Sequence, residues 1–150
     1  MAFVKPNRWI YYKKTHFSVD FIGWNNKKNY FCEKINEMVK EKEEVELFLR
    51  QFFPKLNIMG IVFLYREKNL EALKRLGITP EIREKVIRTI EVNDYVETIS
   101  DMASFGDMWV FGKDYDGNEL YIKIAMGREN SNTICISFHV AEYPLHYAFK

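Results

Sequence analysis

Cysteine is nearly absent from this 150-residue chain: Cys32 and Cys135 are its only two, with no C-x-x-C spacing. A zinc site built from cysteines is thereby excluded. A disulfide between the two stays open but nothing points to it, and such sparse usage reads as a reducing cytoplasm. Histidine is equally scarce, with three copies scattered at positions 16, 139 and 146, so no metal and no other cofactor is expected. No apolar run approaches the ~20 residues of a membrane span. The basic start has no apolar stretch of the kind a signal peptide carries, so no membrane contact is expected. G-x-S-x-G, Walker and G-x-G-x-x-G loops are all missing, which removes the hydrolase and nucleotide-binding classes that depend on them. A strong overall field is missing too: the formal net charge is +1, too small to draw in a polyanion by itself.

That small sum hides an asymmetry. Residues 1–37 carry seven Lys or Arg against three acids, a balance of +4, which leaves −3 for the rest. The same stretch holds nine aromatic residues and five asparagines, and its apolar residues keep no period. Two readings stand. Either the segment is a mis-assigned start and the working chain begins at Met38, or it is a basic, aromatic arm that folds over the domain or grips a partner. Residues 38–150 read as one domain, long enough to bury a core.

Within that domain the periodicity is clear. From about Lys40 to Phe53, Val45, Phe48, Leu49, Phe52 and Phe53 recur at helical spacing, and Pro54 is expected to stop the helix. "IVFLYR" at 61–66 reads as a short strand. "NLEALKRLGIT" predicts a helix with Leu70, Leu73 and Leu76 inward and Gly77 as its cap. Thr79 and Pro80 open a further helix over 80–91, with Ile82, Val86, Ile87 and Ile90 on one face. Strands are predicted at 94–99, 108–113, 118–126 and 133–141, joined by a "DYDGN" hairpin turn and a looser "GRENSN" turn. Short connections make these an antiparallel meander. The fold class is α+β, an antiparallel β-sheet with helices packed on one face.

Alternation then sorts the faces. Leu120, Ile122, Ile124 and Met126 share one side of their strand, and Ile134, Ile136 and Phe138 share one side of theirs. By the same logic Met108 and Val110 point to the core. The opposite face would carry Trp109, Phe111, Lys113, Tyr121, Lys123, Ser137 and His139. Any one-sided sheet has a mixed outer face, and a histidine at a strand end is usually a surface residue; on periodicity alone that plain reading is the commoner one. The chemical reading is specific enough to compete with it. Aromatic platforms beside cations hold single-stranded nucleic acid. RNA cleavage needs no metal: a base takes the 2′-hydroxyl proton, an acid protonates the leaving 5′-oxygen, and a cation steadies the phosphate. An imidazole suits the acid or base role, which nominates His139, with Tyr121 and Lys123 beside it. Cys135 and His139 are roughly 13 Å apart along one strand, too far for a nucleophile–base pair. Glu91, Asp94, Glu97 and Asp107 read as a solvated edge rather than a cation site.

The run "LEALKRLGIT", a following "NDYVE", and then "MWVFG", "ELYIKI" and "ICISFH" resemble the MqsR family of bacterial type II toxins. The resemblance covers roughly residues 42–147. It implies a RelE/MqsR-like fold and an endoribonuclease that cuts messenger RNA, free or on the ribosome, to halt growth. It also implies a cognate antitoxin as protein partner. Tyr121 and Lys123 match the family's Tyr-x-Lys strand. His139 stands where the best-known members carry a lysine. Glu97 replaces a functional lysine and Val110 a functional glutamine. The candidate catalytic set is His139, from the face reading, with Tyr121 and Lys123. The same face reading nominates Trp109, Phe111 and Lys113 as RNA contacts, and the tail adds Tyr143 and Lys150, which would frame the site or pack against the arm. The rival class is an inactive relative that binds RNA, ribosome or antitoxin without cutting.

Overall fold

Amphipathic period, capping residues and turn glycines partition the chain into alternating elements. The computed structural model describes residues 37–101 and 106–150, with the backbone alone for Glu37, Met38 and Asp101. The arm expected at 1–37 therefore lies outside the described residues, apart from the backbone of Glu37.

Strand β1 (Glu37–Met38) is followed by helix α1 (Lys42–Met59), strand β2 (Ile61–Phe63), helix α2 (Glu67–Leu76) and helix α3 (Pro80–Arg88). A 3-10 turn at Val92–Asp94 leads into β3 (Tyr95–Asp101), β4 (Gly106–Tyr115), β5 (Asn118–Ala125) and β6 (Thr133–Val140). The fold is α+β. Six strands form one sheet in the order β1-β3-β4-β5-β6-β2. β3 to β6 form the antiparallel meander. β2 pairs with β6 in parallel, a departure from the all-antiparallel sheet expected. A parallel neighbour needs a long crossover, and α2, α3 and the meander together supply one.

Local signals explain most boundaries. Glu41 and Glu44 cap α1 reciprocally. Gly77 ends α2 in the left-handed region at φ 62°. The Thr79 hydroxyl accepts from the Ile82 N–H, with Pro80 in the first turn of α3. Asp116 and Gly117 both take positive φ, 51° and 72°, as a type I′ hairpin turn demands.

Pro54 does not stop α1; the helix runs on to Met59. Phe52 and Leu56, 0% and 1% exposed, bracket the proline. Burying the Leu56 side chain is worth about 1.5–3 kcal/mol, comparable with the ~3 kcal/mol a helical proline costs. Termination waits for Gly60 at φ 73°, whose N–H reaches the Leu56 carbonyl. Pro54 is itself exposed. Pro54→Ala should restore the missing amide donor and raise stability by roughly 1–3 kcal/mol. Urea unfolding checks this; a loss of stability would show that the proline shape is needed.

In α2 Asn69 and Ala72 are buried, Leu73 and Leu76 pack partly buried against the core as expected, and Leu70 is half exposed. On α3, Ile87 is buried, Ile82 and Val86 partly so, and Arg83 joins them on the inward side. Ile90, expected within the helix, is buried just beyond its end.

The core lies between the helices and one face of the sheet. Val45, Phe48, Leu49, Phe52 and Leu56 of α1 meet Trp109, Phe111, Leu120, Ile122, Ile124, Cys135 and Phe138. Two face assignments are thereby corrected. In β4, Trp109 pairs with Ile124 and Phe111 with Ile122, so Trp109 and Phe111 point to the core and Val110 away from it. The cause is α1: Phe48 stacks on Trp109 with centroids 4.3 Å apart, and lies 6.3 Å from Phe111. In β6 the register shifts between Lys123 and Ile124. Ile136 is the extra residue of this β-bulge, and the alternation changes phase across it. Cys135 therefore faces the core opposite Ile124, while Ile134 faces away opposite Ala125.

Candidate functional site

The sheet face turned away from the helices is ordered by strand register. One cross-strand row holds Glu97, Val110, Lys123 and Ser137. The next holds Gly112, Tyr121 and His139. Tyr121 and His139 are direct neighbours on adjacent strands, so their rings stack at 5.2 Å between centroids and 18° between planes. Lys123, two residues along β5, places its Nζ 5.5 Å from the centre of the Tyr121 ring. All three side chains are half-buried.

His139 has a defined orientation. Its Nδ1 lies 2.9 Å from the Val140 carbonyl oxygen, which can only accept. The neutral ring therefore carries its proton on Nδ1 and leaves Nε2 as a base. Glu142 adds negative charge nearby. A hydrogen bond from Lys68 holds its carboxyl below the usual range, and His139 acts in the same direction.

The chain after β6 crosses this face. Ala141 donates to the Glu119 carbonyl. The Glu119 carboxylate accepts from the Leu145 N–H at 3.1 Å and the Tyr147 hydroxyl at 2.7 Å. Ala148 donates to the Tyr95 carbonyl, and Phe149 stacks on Tyr95. The tail thus runs from β6 over β5 and β4 to β3, a strap beside the Tyr121–His139 pair. Burial and the Glu119 contact push the Tyr147 phenol upward.

Gly112 makes the strap possible. A Cβ there would sit 2.5 Å from the Tyr147 oxygen and 2.7 Å from Leu145 Cδ1. A glycine inside a strand signals such close approach. The "VFGKD" run carried that signal, but the strap residues Glu119, Leu145 and Tyr147 had none in the sequence. Gly112→Ala should lift the strap and cost about 1–3 kcal/mol. Limited proteolysis should then cut the tail beyond residue 141 faster than in the natural chain; equal rates would mean the strap has shifted without opening.

The other nominated residues fall elsewhere. Trp109 and Phe111 are core residues and offer no stacking platform to RNA. Lys113 shares its row with Leu120, away from Tyr121. Its Nζ lies 2.7 Å from Asp94 Oδ2 and donates to the Thr89 carbonyl at 2.7 Å. Lys150 approaches the same carboxylate at 3.6 Å and lies over the Tyr147 ring. Tyr143 is exposed. Of the nominated residues, His139, Tyr121 and Lys123 alone form one cluster.

Among the described residues, no three His, Cys, Asp or Glu side chains stand close enough to hold a metal ion. No helix there is long and apolar enough to cross a membrane. No family model, curated protein or solved structure matches the chain.

Proposed function

We propose that this chain is a metal-independent endoribonuclease of RelE/MqsR-like fold, a growth-arresting cytoplasmic toxin that cuts messenger RNA and pairs with an antitoxin. The observation that carries the reading is the Tyr121–His139 stack with Lys123 beside it on one sheet face. His139 Nε2 takes the proton from a 2′-hydroxyl. The 2′-oxygen bonds to phosphorus as the bond to the 5′-oxygen breaks, leaving a 2′,3′-cyclic phosphate. Lys123 and the Tyr121 hydroxyl meet the extra charge on the phosphoryl oxygens. The 5′-oxygen leaves with a proton drawn from Tyr121 or from water.

One observation favours a second reading, an RNA- or antitoxin-binding module without catalysis. Glu97 and Val110 stand in the row of Lys123. That row therefore offers one cation and one carboxylate where the family resemblance implies two cations and an amide.

The test is 5′-end mapping of cellular messages after brief induction of the natural chain and of His139→Ala. New ends with the natural chain and none with a folded His139→Ala support the nuclease. No new ends with either, both folded, support the binding module.

A further inference from the structure

Arg83 projects from α3 against Phe63, the last residue of β2. It is 5% exposed. Its guanidinium carbon lies 3.5 Å from the centre of the Phe63 ring. Its Nε is sealed from solvent and has no hydrogen-bond partner. The ion pairs that Lys40, Lys68, Arg88, Lys113 and Lys150 make among the described residues do not include it. The titratable groups that face it are the Cys135 thiol and the Tyr65 phenol. Burial pushes the thiol up to about 12, so it supplies no counter-charge at neutral pH.

A guanidinium keeps its proton in any protein setting. Burying it without a counter-charge opposes folding. Phe63 satisfies one flat face of the ion, but not the Nε donor in its plane. That planar fork matches two oxygens of a carboxylate or phosphate. Among the described residues β2 ends the sheet, and no further described strand covers this margin. Tyr65, 82% exposed, flanks it with a hydroxyl. The place lies on the helix side of the sheet, where Cys135 packs, away from Tyr121 and His139.

We propose that Arg83 is the receptor of an oxyanion site at the junction of α3 and β2. It takes the two oxygens of a carboxylate or a phosphate group and is independent of the Tyr121–His139 site.

The test is thermal unfolding of the full chain titrated with sodium phosphate, sodium acetate and sodium chloride at matched ionic strength. Arg83→Met removes the charge, and Arg83→Lys keeps the charge without the fork. The natural chain should show a saturable rise in melting temperature with phosphate or acetate that chloride does not produce. The apparent affinity should fall at least tenfold in Arg83→Lys, and the saturable rise should vanish in Arg83→Met. Saturation by phosphate alone identifies a phosphate group, and by acetate alone a carboxylate. If Arg83→Met does not fold, Arg83→Lys carries the comparison. The proposal is overturned if no anion saturates, if chloride acts equally, or if the substituted chains respond as the natural one does.

Discussion

Replacing Asn69 by alanine is expected to remove about 3–5 kcal/mol of stability, with each orphaned buried polar group costing ~1–3 kcal/mol. Asn69 sits on α2 with 2% of its surface exposed. Its amide nitrogen donates to the Leu64 carbonyl at 2.8 Å and the Ile136 carbonyl at 3.1 Å. Its amide oxygen accepts from the Phe138 N–H at 2.9 Å. The latter two bonds bracket the β6 bulge, where the ladder to β5 is broken. Alanine takes the Asn69 partner from the Ile136 carbonyl and the Phe138 N–H in a place water cannot easily reach, while the Leu64 carbonyl keeps the Arg66 N–H. Asn69→Asp should be no better: a carboxylate still accepts from Phe138 but presents an acceptor to two carbonyls. Equilibrium unfolding in urea measures both variants. A loss under about 1 kcal/mol for alanine would mean that the bulge finds other partners.

His139→Ala is expected to lower the single-turnover cleavage rate of an RNA oligonucleotide by about 10²–10⁴ under the proposed function. The imidazole is the group whose Nε2 is left as a base by the Val140 hydrogen bond, and alanine supplies nothing in its place. Lys123→Met should cost a smaller factor, on the order of 10²–10³, as loss of a fixed charge at the phosphoryl oxygens. Both effects should appear in the rate of chemistry at saturating protein. If His139→Ala cuts at the natural rate, the Tyr121–His139 stack is cross-strand packing worth about 0.2–1 kcal/mol, and the reacting groups lie elsewhere.

The sequence disclosed the parts of this molecule that depend on near neighbours. Gly77, the Thr79–Pro80 pair and the Asp116–Gly117 turn each act within a few residues, and each does what its local chemistry dictates. Alternation alone put Tyr121 and His139 on one face, since it holds through β5 and the end of β6; their direct pairing depends on the bulge at Ile136. Where tertiary contacts decide, the reading failed. "MWVFG" is apolar on both faces, so its period cannot say which side α1 covers; the Phe48 ring decides. The bulge at Ile136 leaves no mark in "TICISFH", and it turned Cys135 inward and Ile134 outward. Pro54 obeyed its neighbours Phe52 and Leu56 rather than its own propensity. The strap across Gly112 joins residues far apart in the chain: the glycine inside a strand marks that something approaches, and no local pattern says that Leu145 and Tyr147 do.

The parallel pairing of β2 has a consequence for how the chain reaches its final form. Gly60 and Thr133, which bond across that pair, are 73 residues apart. The hairpins of the meander close over a few residues and form early, whereas β2 meets its neighbour only after a long loop is closed. During synthesis, β2 emerges before the meander and waits without its neighbour until β6 exists. Completion of this sheet is gated by its last strand: a chain halted before residue 133 can lay its first helix on Trp109, Phe111 and β5 but leaves β2 without a neighbour to pair with.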